Sequence, residues 1–227
     1  METVLLIDDS NFMRTLIKNI VVKQGLTVIG EAENGVIGTE LYKELNPDFV
    51  ILDMIMDEKD GLTTLEQILE YNPDAVVFAV SSMLGQKYYA EKATSLGAKE
   101  IMTKPIDVRK FKAALRKYSK HPHFDESSQS VKKFLSEDDW QELLVIFRRE
   151  TEKAITTMRE TVSSGNLKLF TITAHSMKSM LANNDEFELS DMAHLLEVAG
   201  QDGNTDYISE NLEDFIEALD RVAKAHT

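Results

Sequence analysis

The alternation in the first 120 residues constrains the fold most. Short strand-like runs at Val4–Ile7, Thr27–Ile29, Phe49–Leu52, Ala75–Val80 and Lys99–Met102 alternate with helical patterns near 12–22, 36–45, 63–70, 86–96 and 108–118. Strand and helix taken in turn predict a parallel sheet, because a parallel crossover needs a helix and the helices then bury both sheet faces. Asn-Pro-Asp recurs at 46–48 and 72–74, each time between a helix and a strand. There the proline stops the helix and sets a turn.

The texture changes after Tyr118. Residues 121–132 lack periodicity and are expected to be a linker between a first domain, 1–120, and a second, 133–227. No strand signal follows. Ser136 is placed to cap a helix whose first turn carries Glu137, Asp138 and Asp139. Trp140, Leu143, Leu144, Phe147, Ile155, Met158 and Val162 then recur at helical spacing. Further helices are predicted at Leu167–Leu181, Leu189–Ala199 and Tyr207–Ala223, with a turn at 201–204. Four amphipathic helices with short connections imply an all-α four-helix bundle.

Charge is unevenly shared. Residues 1–120 hold 15 basic and 18 acidic residues, net −3, whereas 121–227 hold 10 and 21, net −11. So acidic a second half repels a phosphate backbone, which argues against nucleic acid as a partner. The chain has no cysteine, which excludes disulfides and thiolate metal sites and fits a cytoplasmic location. Its first residues lack the basic leader of a signal peptide, and no run approaches the roughly 20 apolar residues that span a bilayer, so no membrane is expected.

Chemistry-bearing side chains sit where the strands end. Asp8 and Asp9 follow the first strand, Asp53 the third, Ser81 the fourth and Lys104 the fifth. Ligands of open parallel sheets bind outside the carboxyl ends of the strands. If strands one and three are neighbours, three carboxylates converge and call for a hard cation such as Mg²⁺. A carboxylate nucleophile beside such a cation suits phosphoryl transfer. A lone acid in such a place ordinarily caps a helix, but capping does not explain five polar residues at four strand ends. Pro105 is a candidate cis-proline, turning Lys104 back over the site.

These residues lie in Leu6-Ile7-Asp8-Asp9-Ser10, Ile51-Leu52-Asp53-Met54-Ile55-Met56 with Gly61 beyond, Val80-Ser81-Ser82 and Met102-Thr103-Lys104-Pro105. In order and spacing, residues 1–120 resemble the chemotaxis-type receiver domain of bacterial response regulators. The resemblance implies a flavodoxin-like α/β fold, a parallel five-stranded sheet in the order 2-1-3-4-5. It implies Asp53 as phosphoacceptor, Ser81 as switch hydroxyl and Lys104 as phosphate partner, with Asp8, Asp9, Asp53 and the Ile55 carbonyl holding Mg²⁺. Two departures stand out: Asp57, followed by Glu58, replaces a usual proline, and Ile101 replaces a frequent aromatic.

The second half carries its own cluster. His175 and Lys178 are three apart on one helix, and His194 and Glu197 three apart on the next, so each pair shares a face. An imidazole is a usable phosphoryl acceptor near neutral pH, and a carboxylate on one ring nitrogen leaves the other nucleophilic. The cluster resembles the histidine phosphotransfer (HPt) domain, most closely that of chemotaxis histidine kinases. The resemblance implies an exposed His175 as phosphoacceptor, supported by Lys178, His194 and Glu197. Ser179 stands where the family usually has glycine, and Asn183-Asn184-Asp185 replaces a later glycine near the turn. His121, His123 and His226 are expected to be solvated.

The chain is therefore expected to be a two-component phosphorelay protein. Asp53 receives phosphate from a histidine kinase or HPt protein, and His175 exchanges it with the receiver domain of a response regulator. The alternative is a phosphorylation-gated binding module whose helical domain docks a partner without carrying phosphate. No glycine-rich nucleotide motif marks an ATP-binding kinase.

Overall fold

The computed structural model describes residues 1–56, 60–82, 86–120 and 131–225. Asp57 and Glu58, the linker up to residue 130, and His121, His123 and His226 lie outside the described residues. The chain divides into two compact units, Met1–Trp140 and Gln141–Thr227.

In the first unit the elements run β1 (Thr3–Ile7), α1 (Asn11–Lys23), β2 (Thr27–Ala32), α2 (Gly35–Leu45) and β3 (Phe49–Asp53). They continue with α3 (Gly61–Tyr71), β4 (Val77–Ser82), α4 (Gln86–Leu96), β5 (Glu100–Lys104), α5 (Val108–Tyr118) and the short α6 (Val131–Phe134). The sheet is parallel, five-stranded and ordered β2-β1-β3-β4-β5. β1 and β3 are central, and their apolar residues are buried, as a strand covered on both faces must be.

The register decides where the chemistry lands. Ile7 pairs with Leu52, and Asp53 pairs with Val80. Ser81 pairs with Thr103, the residue before Lys104. All four strand ends therefore open on one edge of the sheet. Helices leave that edge through side-chain caps: Ser10 accepts from Met13 N–H, Asn34 from Ile37 N–H, Asp60 from Thr63 N–H and Asp107 from Arg109 N–H. At the opposite edge the two Asn-Pro-Asp turns differ. Asn46 ends α2 in the left-handed region with φ 45°, whereas Asn72 is extended and accepts from Asp74 N–H.

The second unit is all-helical. It takes in most of α7 (Glu137–Ser164), then α8 (Leu167–Asn183), α9 (Phe187–Asp202) and α10 (Thr205–Ala225). Ser136 caps α7 as the sequence predicts, accepting from Asp139 N–H. α8 and α9 form an antiparallel hairpin: Ser190 Oγ donates to the Lys178 carbonyl, and Gly200, near the far end of α9, faces Thr171 on α8. No described helix is long and apolar enough to cross a membrane.

Candidate functional site

Asp8, Asp9 and Asp53 each bring a carboxylate oxygen within 4.8 Å of the others. The β1–α1 turn presents the first two. Asp8 N–H donates to the Ala32 carbonyl at 3.1 Å, and Asp8 Oδ1 accepts from Ser10 N–H at 2.9 Å. Asp53 ends β3 and is 2 % exposed. Its Oδ1 accepts from Ile55 N–H at 3.2 Å, which sets the turn carrying the Ile55 carbonyl. Gly61 enters α3 directly behind it, and its N–H donates to the Met54 carbonyl. A Cβ there would lie 2.2 Å from the Asp53 carbonyl oxygen, so only glycine fits this approach.

Lys104 reaches across from β5. Its ammonium donates to Asp53 Oδ2 at 2.7 Å and to Asp8 Oδ2 at 2.9 Å. The Lys104–Pro105 peptide is cis, in agreement with the sequence reading. Burial alone would lower the Lys104 pKa, but the charges of Asp53 and Asp8 override it and raise it. Asp9 titrates well above the usual carboxylate range, first through burial and then through repulsion from Asp8 and Asp53; Lys104 and Arg14 only partly oppose this. Burial also raises Asp8, against the attraction of Lys104. One lysine against three crowded carboxylates leaves excess negative charge on hard oxygen donors, a set that fits a divalent cation such as Mg²⁺. Ser81 is buried one residue beyond Asp53's partner in β4.

Arg14, in the first turn of α1, escaped the sequence reading. Nη1 donates to the Asp8 carbonyl at 2.6 Å, and Nε lies 3.8 Å from Glu31 on β2. Its only sequence signal is a basic residue five positions after Asp9, and such residues are commonly solvated.

In the second unit α8 and α9 bring His175, Lys178 and Glu197 together. His175 Nδ1 lies 2.7 Å from Glu197 Oε1, and Lys178 donates to Glu197 Oε2. Burial would raise the Glu197 carboxyl, but the His175 hydrogen bond and then Lys178 lower it to about 2. His194 Nδ1 stops 3.6 Å from Glu197 Oε2, too far for a hydrogen bond. The expected exposed imidazole is a correction: His175 is 2 % exposed, and its Nε2 is buried without a hydrogen-bond partner. The reason is that α8 buries residues on every side, including Ala174, Met177 and Leu181 around the histidine.

Residues 4–116 match the response regulator receiver domain family. The chemotaxis protein CheY of Thermotoga maritima is 40% identical over 117 residues, covering 52% of this chain and 97% of that protein. CheY of Bacillus subtilis is 40% identical over 114 residues, covering 50% of this chain and 94% of that protein. A solved CheX–CheY–BeF3–Mg complex from Borrelia burgdorferi is similar at 31% identity with a TM-score of 0.49, covering 51% of this chain and 87% of that one.

Proposed function

The chain belongs to the response regulator receiver family, and on that premise we propose that it is a two-component signalling protein with two phosphoryl acceptors, Asp53 and His175. The observation that carries the first is the Lys104 ammonium bridging Asp8 and Asp53 beside Asp9. An Asp53 carboxylate oxygen attacks the phosphorus of a phosphohistidine on a histidine kinase or HPt protein. The new P–O bond forms as the P–N bond breaks, and its electron pair returns to the donor imidazole. Lys104 then pairs with a phosphoryl oxygen, and the Ser81 hydroxyl donates to another. Asp8, Asp9, Asp53 and the Ile55 carbonyl would hold Mg²⁺, which would neutralise phosphoryl charge.

At the second site Glu197 on Nδ1 fixes the His175 tautomer and leaves Nε2 as the nucleophile toward the receiver domain of a response regulator. Lys178 and His194 flank that pair. Transfer requires Nε2 to be uncovered. The burial of Nε2 favours the second reading, a phosphorylation-gated module whose helical part docks a partner without carrying phosphate.

Label transfer separates the two. ³²P from a phosphorylated histidine kinase or receiver is followed into the full chain with Mg²⁺. Asp53→Asn is expected to abolish acid-stable label, and His175→Gln to abolish acid-labile label in the helical region. Acid-labile label that survives His175→Gln ends the relay reading for that residue; none in the wild-type chain leaves the gated module standing.

A further inference from the structure

We propose that Arg14 is a positioning residue for the divalent-cation site, its guanidinium clamping the Asp8 carbonyl and so setting the turn that presents Asp8 and Asp9. This rests on the Mg²⁺ reading of the acid cluster.

Asp8 lies one residue past the end of β1, so its carbonyl is beyond the sheet ladder and needs a donor. Arg14 Nη1 fills that need at 2.6 Å. The guanidinium is itself held: Nη2 reaches Asn11 Oδ1 at 3.4 Å, and Nε faces Glu31, which also takes Lys18 at 2.8 Å. The arginine side chain is only 13% exposed. The Asp8 backbone is thus tied on both sides, through its N–H to β2 and through its carbonyl to α1. A planar fork with several donors suits this; a lysine ammonium is a point charge on a flexible stem.

Charge and geometry predict opposite signs. A guanidinium near a cation site repels the ion, so as a mere counter-charge to the carboxylates Arg14 weakens binding, and its removal tightens it. As a clamp it strengthens binding, and its removal lets the two aspartates drift. Groups behind the ligands of metal sites commonly matter by 10–100-fold in affinity, enough to outweigh a partly screened repulsion.

The test is calorimetric titration of Mg²⁺ into the unphosphorylated full chain, with folding of each variant checked by circular dichroism. Arg14→Gln is expected to weaken Mg²⁺ binding by about 10-fold. Arg14→Lys keeps the charge without the fork and is expected to weaken it in the same direction; it decides the matter if Arg14→Gln does not fold. Lys18→Gln removes the other partner of Glu31 and is expected to leave binding unchanged. Unchanged or tighter binding in Arg14→Gln overturns the proposal, as does an equal loss in Lys18→Gln, which would move the effect to Glu31. A wild-type chain that takes up no Mg²⁺ overturns the metal reading as well. Wild-type binding with an unaltered Arg14→Gln curve overturns the clamp alone.

Discussion

The two candidate acceptors share a plan and differ in charge balance. Each is a buried group beside a lysine and a carboxylate, on elements that local packing holds in place. Around Asp53 one ammonium faces three carboxylates, two of which titrate above their ordinary range. Around His175 one ammonium and an imidazole share one carboxylate, which titrates far below its range, at about 2. The first site is short of positive charge, and its oxygen donors fit a divalent cation. The second is balanced among its own side chains, with His175 Nε2 and His194 Nδ1 left without hydrogen-bond partners. Similar residue types can therefore make a site that waits for a ligand or a clip that holds two helices together.

Breaking the clip is expected to have the largest effect. Glu197→Ala removes the carboxylate that Lys178 and His175 share, and losing one partner of a buried ion pair costs about 3–5 kcal/mol. Chemical denaturation followed by hydrogen exchange in α8 and α9 reads this loss; a cost under about 1 kcal/mol would show the cluster to be solvated instead. The pH dependence has opposite signs in the two regions. Glu197 is depressed from 4.5 to about 2, so its stabilisation is present above 4.5 and lost as pH falls toward 2. Asp8 and Asp9 are raised from 3.8, so their stabilisation is present below 3.8 and lost as pH rises through the raised values.

Next in size is Gly61→Ala. The added Cβ meets backbone, 2.2 Å from the Asp53 carbonyl and 2.5 Å from Met54 Cα, which cannot rotate away. The β3–α3 junction must shift, at about 1–3 kcal/mol. Mg²⁺ affinity is expected to fall with it, because the moved backbone carries Asp53 and leads to Ile55. Calorimetry and a thermal melt on the same sample show whether stability and affinity move together.

Most of this contrast was legible in the chain, and the exceptions have physical causes. The strand order is what the resemblance to receiver domains implies; given that order, the converging aspartates and the cis-proline follow from residues at strand ends, where local sequence and register coincide. β2 runs on to Ala32, past the predicted end at Ile29, because the absent Cβ of Gly30 lets Leu5 and Leu45 close to 2.9 and 2.8 Å of the position it would occupy. α9 runs through Asp202 before Gly203 ends it with φ 69°, so half of the predicted turn is helix. α6 was not foreseen; its Phe134 ring lies 4.4 Å from Lys112 Nζ and 5.6 Å from Lys23 Nζ, two residues distant in the chain. The burial of His175 was equally hidden, since periodicity reports one face of a helix and not how many faces its neighbours cover.

A gain in stability is expected where the excess charge is relieved. Asp9→Asn keeps the shape and removes one of three repelling carboxylates, so the first unit should gain about 0.5–2 kcal/mol near neutral pH. The same change should remove most Mg²⁺ binding. Stabilisation without loss of Mg²⁺ affinity would show that Asp9 is crowded but not a ligand; loss of both would mean that its charge holds the turn.

The smallest effect tests why the helical region yields where the sheet does not. Gly200 on α9 also leaves no space, for a Cβ would sit 2.4 Å from Thr171 Oγ1 and 3.2 Å from Phe170 Cδ1. Its closest neighbour, however, is the end of a rotatable side chain. Alanine gains about 1 kcal/mol over glycine inside a helix, and turning Thr171 away costs its hydrogen bond to the Leu167 carbonyl, about 1 kcal/mol. The two nearly cancel, so Gly200→Ala is expected within about 0.5 kcal/mol of wild type. Thr171→Ala removes the nearest obstacle and leaves Phe170 Cδ1 at 3.2 Å, so in that background the same substitution should stabilise by up to about 1 kcal/mol. A double-mutant cycle with no coupling would mean that the α8–α9 backbones themselves move apart. That shift would stretch the His175–Glu197 contact as well, and hydrogen exchange at the two residues would report it.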